Sequence, residues 1–183
     1  KGLYRLPEGL KLPKRTKLEA HIFASGPMVQ AAYEAQRVLF ERYKVAAHLW
    51  SVTSYQQLFR DGRAAMRHNR LNPGADKQVP YVTSTLAKAK AKGPIVAVSD
   101  WVAELPNQIR EYIPNQYLVL GTDGFGRSDT RDALRRHFEI DAASIVITVL
   151  SGLLEEGKIE ASVVTDAIDF YDYDVAKPDP MTA

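Results

Sequence analysis

The feature of this sequence that most constrains its fold is a regular alternation between short apolar runs and longer segments with a helical pattern. The four apolar runs are 18-LEAHIFAS-25, 45-VAAHLWSVT-53, 94-PIVAVS-99 and 117-YLVL-120. Apolar runs of about four to eight residues that alternate with helical segments are typical of βαβ units. Such units place their strands side by side in a mostly parallel sheet. We therefore predict an α/β domain with a mostly parallel sheet flanked by helices.

The segments between these strands carry helix signals of unequal strength. Pro27 suits the first turn of a helix, and Ser54 is a good cap for a helix that begins at Tyr55. The stretch 80–92 is ambiguous between helix and extended chain, and the helical pattern over 100–113 must bend or restart at Pro106. The sequence therefore predicts two well-marked helices and two irregular connections.

After the last strand the pattern changes to three successive helices, predicted at 129–138, 141–157 and 161–170. The second has a wide apolar stripe, and Gly157 suits the position just past its end. These additional C-terminal helices must pack on the sheet or on a partner. We predict a lead-in segment at 1–17 and a single α/β domain at 18–183, whose acidic, proline-bearing tail is loose at its outer end.

Composition excludes several classes of function. Lysine and arginine number 24 against 22 acidic residues, and this net charge of +2 favours neither a nucleic-acid nor a membrane partner. No uninterrupted apolar run approaches the roughly 20 residues that cross a bilayer, and the start of the chain lacks a signal peptide. The absence of cysteine fits a cytoplasmic location. Because the sequence begins at Lys1, we expect a fragment or a processed product.

The stretch 120-LGTDGFGRSDTR-131 follows a strand and precedes a helix, which is the context of a phosphate site. Its glycine spacing is GxxGxG, the reverse of the dinucleotide fingerprint, and it lacks the acidic spacing of a calcium loop. We therefore interpret it as a shaped turn. Ser128 or Asp129 is expected to cap the helix that follows, and Arg127 to pair with a neighbouring carboxylate.

No catalytic or metal-binding constellation is recognisable elsewhere. The four histidines include no HxxxH pair, and no serine lies in a GxSxG elbow. The sharpest charge feature is a set of four arginines at spacings of three and four, which share one face of the helix over 55–70. They are Arg60, Arg63, Arg67 and Arg70. This face is either a solvated helix surface or a site for an anion or an acidic partner.

Four segments together resemble the C-terminal region of the homodimeric decarboxylating component of the pyruvate dehydrogenase complex. They are 2-GLYRL-6, 51-SVTSYQQLFRDG-62, 80-PYV-82 and 119-VLGTDGFGRSDTRDALRRHFEIDA-142. The resemblance runs in order from about residue 2 to residue 170, and TDGFGRSD followed by RHFE is its most specific part. It implies a transketolase-like C-terminal α/β domain, which agrees with the fold that the alternating pattern predicts.

The resemblance also implies what the chain lacks. Enzymes of this family bind thiamine diphosphate and magnesium in two earlier domains, through a GDG segment that is absent here. By resemblance, the parent decarboxylates pyruvate, reductively acetylates lipoyl groups and works with a dihydrolipoyl acyltransferase component. The chain alone is expected to have no catalytic, cofactor-binding or metal-binding residues and no activity.

We hypothesise that the glycine-containing loop makes a contact with the remaining domains or the second subunit of the homodimer. The residues expected at this contact are Asp123, Phe125, Arg127, Ser128, Asp129 and Arg131. Two alternatives remain open, namely a free-standing module that binds a nucleotide or a flavin, and an interaction domain that uses the arginine-rich helix face.

Overall fold

The computed structural model describes residues 1–7, 10 and 17–183 of the chain. Its centre is a five-stranded sheet in the order β1-β3-β2-β4-β5. The strands are β1 (Leu3–Arg5), β2 (Leu18–Ala24), β3 (Val45–Val52), β4 (Ile95–Val98) and β5 (Tyr117–Leu120). Strands β2 to β5 are parallel, and β1 runs antiparallel to β3. The predicted α/β fold and all four predicted strands are confirmed.

The helices fill the connections as the sequence pattern indicates. They are α1 (Met28–Glu41), α2 (Tyr55–Leu71), α3 (Tyr81–Lys88), α4 (Glu104–Asn107), α5 (Arg131–His137), α6 (Ala142–Glu155) and α7 (Ala161–Phe170). Ser54 caps α2 as predicted, because its side chain accepts a hydrogen bond from the Gln57 amide at 3.2 Å. The ambiguous stretch 80–92 contains the helix α3, and the segment around Pro106 is a short helix followed by a 3-10 turn.

The two faces of the sheet carry separate apolar cores. Helices α1 and α6 pack on one face, where Ile22, Leu49 and Val96 point into a core shared with both helices. The opposite face, which includes Phe23 and Trp50, is covered by α2 and α3. Burial of apolar side chains on both sides of a parallel sheet accounts for the nearly continuous apolar runs of the sequence.

The segment expected as a lead-in, residues 1–17, contributes a strand to the sheet. Its residues 3–5 form β1, with Leu3 opposite Val52 and Arg5 opposite Trp50 on β3. The amides of Thr53 and Ser54 donate to the Gly2 carbonyl at 3.0 and 3.2 Å. Residues 8–9 and 11–16 of the lead-in lie outside the described residues. The beginning of the chain is therefore integrated into the edge of the sheet.

By length and composition, the stretch Arg131–Glu155 is apolar enough to cross a membrane. The structure divides it into α5 and α6, with Glu139 between them at a positive φ of 58°. In α6, Ile145, Val149 and Leu153 are fully buried against α1 and the sheet. The apolar character of this stretch is accounted for by its position in the core.

The outer end of the tail, which the sequence predicts to be loose, folds back onto the domain. The Lys177 ammonium donates to the carbonyl oxygens of Arg136 and His137 at 2.8 and 2.9 Å and pairs with Glu139 at 3.1 Å. Further on, the Pro180 carbonyl lies against Gly124, where a Cβ atom would overlap with it. The tail therefore crosses the loop that follows β5.

Candidate functional site

The candidate functional site lies at the edge of the sheet where the four parallel strands have their carboxyl ends. Strand β2 has β3 on one side and β4 on the other, so a topological switch point lies between β2 and β4. There the Ser25 hydroxyl donates to the Ser99 hydroxyl at 3.2 Å, and Ser99 also accepts from the Trp101 amide at 3.1 Å. Serine side chains therefore join the two strand ends directly.

Two cavities open beside this point. One of about 570 Å³ is lined by Ser25, Ser54 and Trp101, and the other, of about 490 Å³, by Asp129 and Arg131. Asp100 lines both cavities. Both volumes are in the range of small-molecule pockets. In the second cavity, the carboxylates of Asp100 and Asp129 are matched by the guanidinium groups of Arg131 and Arg135.

The loops that follow β4 and β5 are joined by hydrogen bonds. The Thr122 amide donates to the Trp101 carbonyl at 3.0 Å, and both carboxylate oxygens of Asp123 accept from the Ala103 amide, at 3.1 and 3.2 Å. Gly121 permits this approach, because a Cβ there would lie 2.7 Å from the Ala103 Cα and 2.8 Å from the Trp101 oxygen. Asp123 therefore has a role inside the domain.

The capping residue of α5 differs from the predicted one. Thr130 is the N-cap, since its hydroxyl accepts from the Ala133 amide at 3.3 Å. The Asp129 carboxylate accepts a hydrogen bond from the Thr130 amide at 2.7 Å. Because Thr130 precedes the first residue of α5, this bond does not cap the helix. Ser128 is exposed. The prediction that Ser128 or Asp129 caps α5 is therefore wrong.

Two arginines of the loop lie at the surface of the domain. Arg127 and Arg131 are exposed, and neither forms an ion pair with a described residue. The expected pairing of Arg127 with a neighbouring carboxylate is thus absent from the described part of the chain. Both guanidinium groups remain free to contact another molecule.

Large apolar side chains are exposed on the same loops. Phe125 is 78% exposed and Trp101 67% exposed, and Val102 and Met181 are also exposed. The Met181 amide nitrogen lies 3.2 Å from the Cβ position of Gly124, which places the tail beside Phe125. We call Trp101, Val102, Phe125 and Met181 the edge patch. The loops that carry Trp101 and Phe125 are joined by hydrogen bonds, and large exposed apolar side chains are candidates for an interaction surface.

The four arginines of α2 lie on a different surface. All four are exposed, and Arg63 places its guanidinium 5.6 Å from the centre of the Phe59 ring. None of the four forms an ion pair with a residue that the structure describes. The predicted helix face is thus present, and among the described residues no acidic side chain lies within ion-pair distance of it.

Neighbouring strands also bring together a polar cluster that the sequence did not reveal. His21 lies opposite His48 with their rings 5.1 Å apart, and the Trp50 indole donates to His21 at 3.0 Å. His21 is only 2% exposed, and burial, followed by the charges of His48 and Arg5, lowers its pKa to about 3. Among the described residues, no three His, Asp or Glu side chains form a cluster suited to a metal ion.

Known proteins resemble this chain along most of its length. The model of the transketolase-like TK C-terminal domain family matches residues 2–141. Pyruvate dehydrogenase E1 components from Mycolicibacterium smegmatis and Corynebacterium glutamicum are 45% and 47% identical over 95% of the chain. The protein of that name from Escherichia coli K12 is 38% identical over the whole chain. The chain spans 18% of the length of the first two relatives and 20% of the third.

Solved structures agree with the fold. Transketolase from Leishmania mexicana aligns with a TM-score of 0.54 at 22% identity, covering 84% of this chain and 18% of that one. Transketolase from Campylobacter jejuni aligns with a TM-score of 0.50 at 21% identity, covering 82% of this chain and 18% of that one. At this identity the likeness concerns the fold alone.

Proposed function

The chain belongs to the transketolase-like C-terminal domain family, and on that premise we propose that it is the C-terminal assembly domain of a pyruvate dehydrogenase E1 component. The proposal rests on the identity of 38–47% with proteins of that name over at least 95% of the chain. The parent enzyme would decarboxylate pyruvate and reductively acetylate lipoyl groups. This chain would supply the contact surface, and the other domains would supply the chemistry.

We propose that the cofactors of such an enzyme are bound by its other domains. Thiamine diphosphate is held through a divalent cation such as magnesium, which requires oxygen ligands that converge on one point. No such cluster of three side chains occurs in the described part of the chain. Asp123, the acidic residue of the glycine-containing loop nearest to β5, accepts a hydrogen bond from the Ala103 amide. The family resemblance supports this proposal, since related enzymes bind both cofactors in domains that precede the C-terminal one.

The observation that carries the assembly role is the edge patch. Phe125 and Trp101 project from loops that are fixed to one another, so their burial would cost little conformational entropy. Aromatic anchors of this kind commonly dominate the binding energy of an interface. The edge patch would therefore provide the apolar centre of a contact with the rest of the parent homodimer.

Polar residues beside Phe125 would orient the contact. Arg127 and Arg131 carry charges without described counterions, and Ser128 and Asp129 are exposed next to them. A guanidinium group forms paired hydrogen bonds with a carboxylate of the facing surface. Of the six residues first expected at the contact, Asp123 would act indirectly, because it holds the loop after β4 in position.

The remaining partners follow from the parent. Through it, the chain would belong to a complex with a dihydrolipoyl acyltransferase component, in the cytoplasm. A net charge of +2 gives no support to nucleic-acid or membrane binding.

Activity measurements on the purified 183-residue chain test whether catalysis depends on the other domains of the parent. We expect no release of carbon dioxide from pyruvate and no heat of binding with thiamine diphosphate and magnesium. In the full-length parent, Phe125→Ala and Arg127→Ala should each weaken dimerisation or lower turnover. Turnover by the isolated chain, or two parent variants with normal dimerisation and activity, would refute the proposal.

A further inference from the structure

The exposed face of α2 has an excess of positive charge that nothing in the described structure uses. Its four arginines, here called the arginine face, are Arg60, Arg63, Arg67 and Arg70. At 100° per residue they fall within an arc of about 80°. From this face we infer a second docking surface, which binds an acidic protein through carboxylate groups.

No acidic side chain of the described residues forms an ion pair with the arginine face. The helix contains one acidic residue, Asp61, and its carboxylate accepts a hydrogen bond from the Tyr81 amide at 2.6 Å. Like charges three and four residues apart on a helix repel each other. In the described residues no side-chain hydrogen bond or ion pair relieves this repulsion. A facing row of carboxylates would therefore be stabilised by all four groups at once.

The side chains around the arginines favour a protein over a nucleic acid. Met66 and Leu71 flank the arginine face and are 51% and 55% exposed. Arginine and methionine are enriched at protein interfaces, where a planar guanidinium binds a carboxylate through two hydrogen bonds. Protein surfaces that bind single-stranded nucleic acids usually combine basic groups with exposed aromatic side chains. On this helix, Phe59 is half-buried beneath Arg63.

The geometry limits the shape of the partner. Arg60 and Arg70 are ten residues apart, which corresponds to about 15 Å along the helix axis at 1.5 Å per residue. A partner helix with acidic residues at spacings of three and four would match this length. The arginine face lies on α2, whereas the edge patch lies on the loops after β4 and β5. Binding here does not depend on the proposed assembly contact.

Binding of fluorescent poly-L-glutamate, followed by anisotropy at low and at physiological salt, tests this inference. Replacing all four arginines with glutamine should weaken binding by about fourfold to several hundredfold, since each exposed ion pair contributes about 0.2–1 kcal/mol and four are lost. The matched control removes the same charge from four exposed lysines elsewhere. These are Lys17, Lys88, Lys90 and Lys92. The affinity of the control variant for poly-L-glutamate should fall by less than about threefold.

A second probe tests the apolar flanks. A glutamate–tyrosine copolymer should bind more tightly than poly-L-glutamate, and Met66→Gln with Leu71→Gln should remove this advantage only. Equal losses in the arginine and lysine variants, or no binding at low salt, would overturn the inference. Tighter, face-dependent binding of a DNA oligonucleotide would replace it with a phosphate site. A changed dimer affinity of the full-length arginine variant would show instead that the arginine face contacts another part of the parent dimer.

Discussion

Replacement of Gly121 by alanine should separate the two loops that carry the edge patch. The added Cβ would lie 2.7 Å from the Ala103 Cα and 2.8 Å from the Trp101 carbonyl oxygen, and closer still to the Ala103 nitrogen. These are backbone atoms, which cannot turn aside as a flexible side chain can. We therefore expect the loops after β4 and β5 to move apart.

The size of the effect follows from the hydrogen bonds that would be lost. Separation breaks the neutral bond from Thr122 to Trp101 and the bond from Ala103 to the Asp123 carboxylate. A neutral bond and a bond to a charged group together contribute about 3 kcal/mol. In a domain of this size, a loss of about 3 kcal/mol lowers Tm by roughly 6–12 °C.

Thermal unfolding of the purified chain, followed by circular dichroism, measures this shift. Gly126→Ala is the matched control, because it makes the same change in the same loop and its Cβ would meet nothing within 4 Å. We expect the control to change stability by less than about 0.5 kcal/mol. Equal Tm values for the two variants would refute the close-approach argument.

Two further predictions concern His21 and the cap of α5. Burial lowers the pKa of His21 in the folded chain to about 3, whereas its pKa in the unfolded chain is near 6.5. Between these two pH values only the unfolded chain binds a proton at His21, so the free energy of unfolding falls as the pH drops. Urea unfolding should show a loss of about 2 kcal/mol from this group between pH 7.5 and 5, absent in His21→Gln; an unchanged pH dependence in the variant would contradict the assignment. Thr130→Ala should cost about 1 kcal/mol in the same assay and Ser128→Ala less than about 0.5 kcal/mol; the reverse order would restore Ser128 as the cap.

The sheet was predictable because its signal is long-range and redundant. Each parallel strand is buried on both faces, so its apolar run stands out from the helical segments around it. β1 was not predicted, since three residues are too few to show a period of two, and its place in the sheet depends on pairing with β3, which is distant in sequence. Local patterns are therefore sufficient for the central strands and insufficient for the edge.

The candidate site was predictable only in part, because its details depend on geometry that residue types leave open. Ser128, Asp129 and Thr130 are all good capping residues, and only the path of the backbone selects Thr130. Trp101 lies in a segment with a helical pattern, and its exposure depends on how the loop after β4 is held by Asp123. The loop itself was found from its sequence, but the aromatic residue facing outward beside it was not.

Dimer affinity of the full-length parent enzyme tests the assembly role most directly. The variant Trp101→Ala with Phe125→Ala removes both aromatic anchors of the edge patch, and Val79→Ala removes an exposed apolar side chain outside it. Each anchor at an interface centre contributes about 2 kcal/mol or more, so the two together contribute about 4 kcal/mol, and sedimentation equilibrium should show the dissociation constant of the double variant raised by roughly 700-fold. The Val79 variant should match the unaltered enzyme. A double variant with an unchanged dissociation constant and unchanged turnover would contradict the assembly role of this domain.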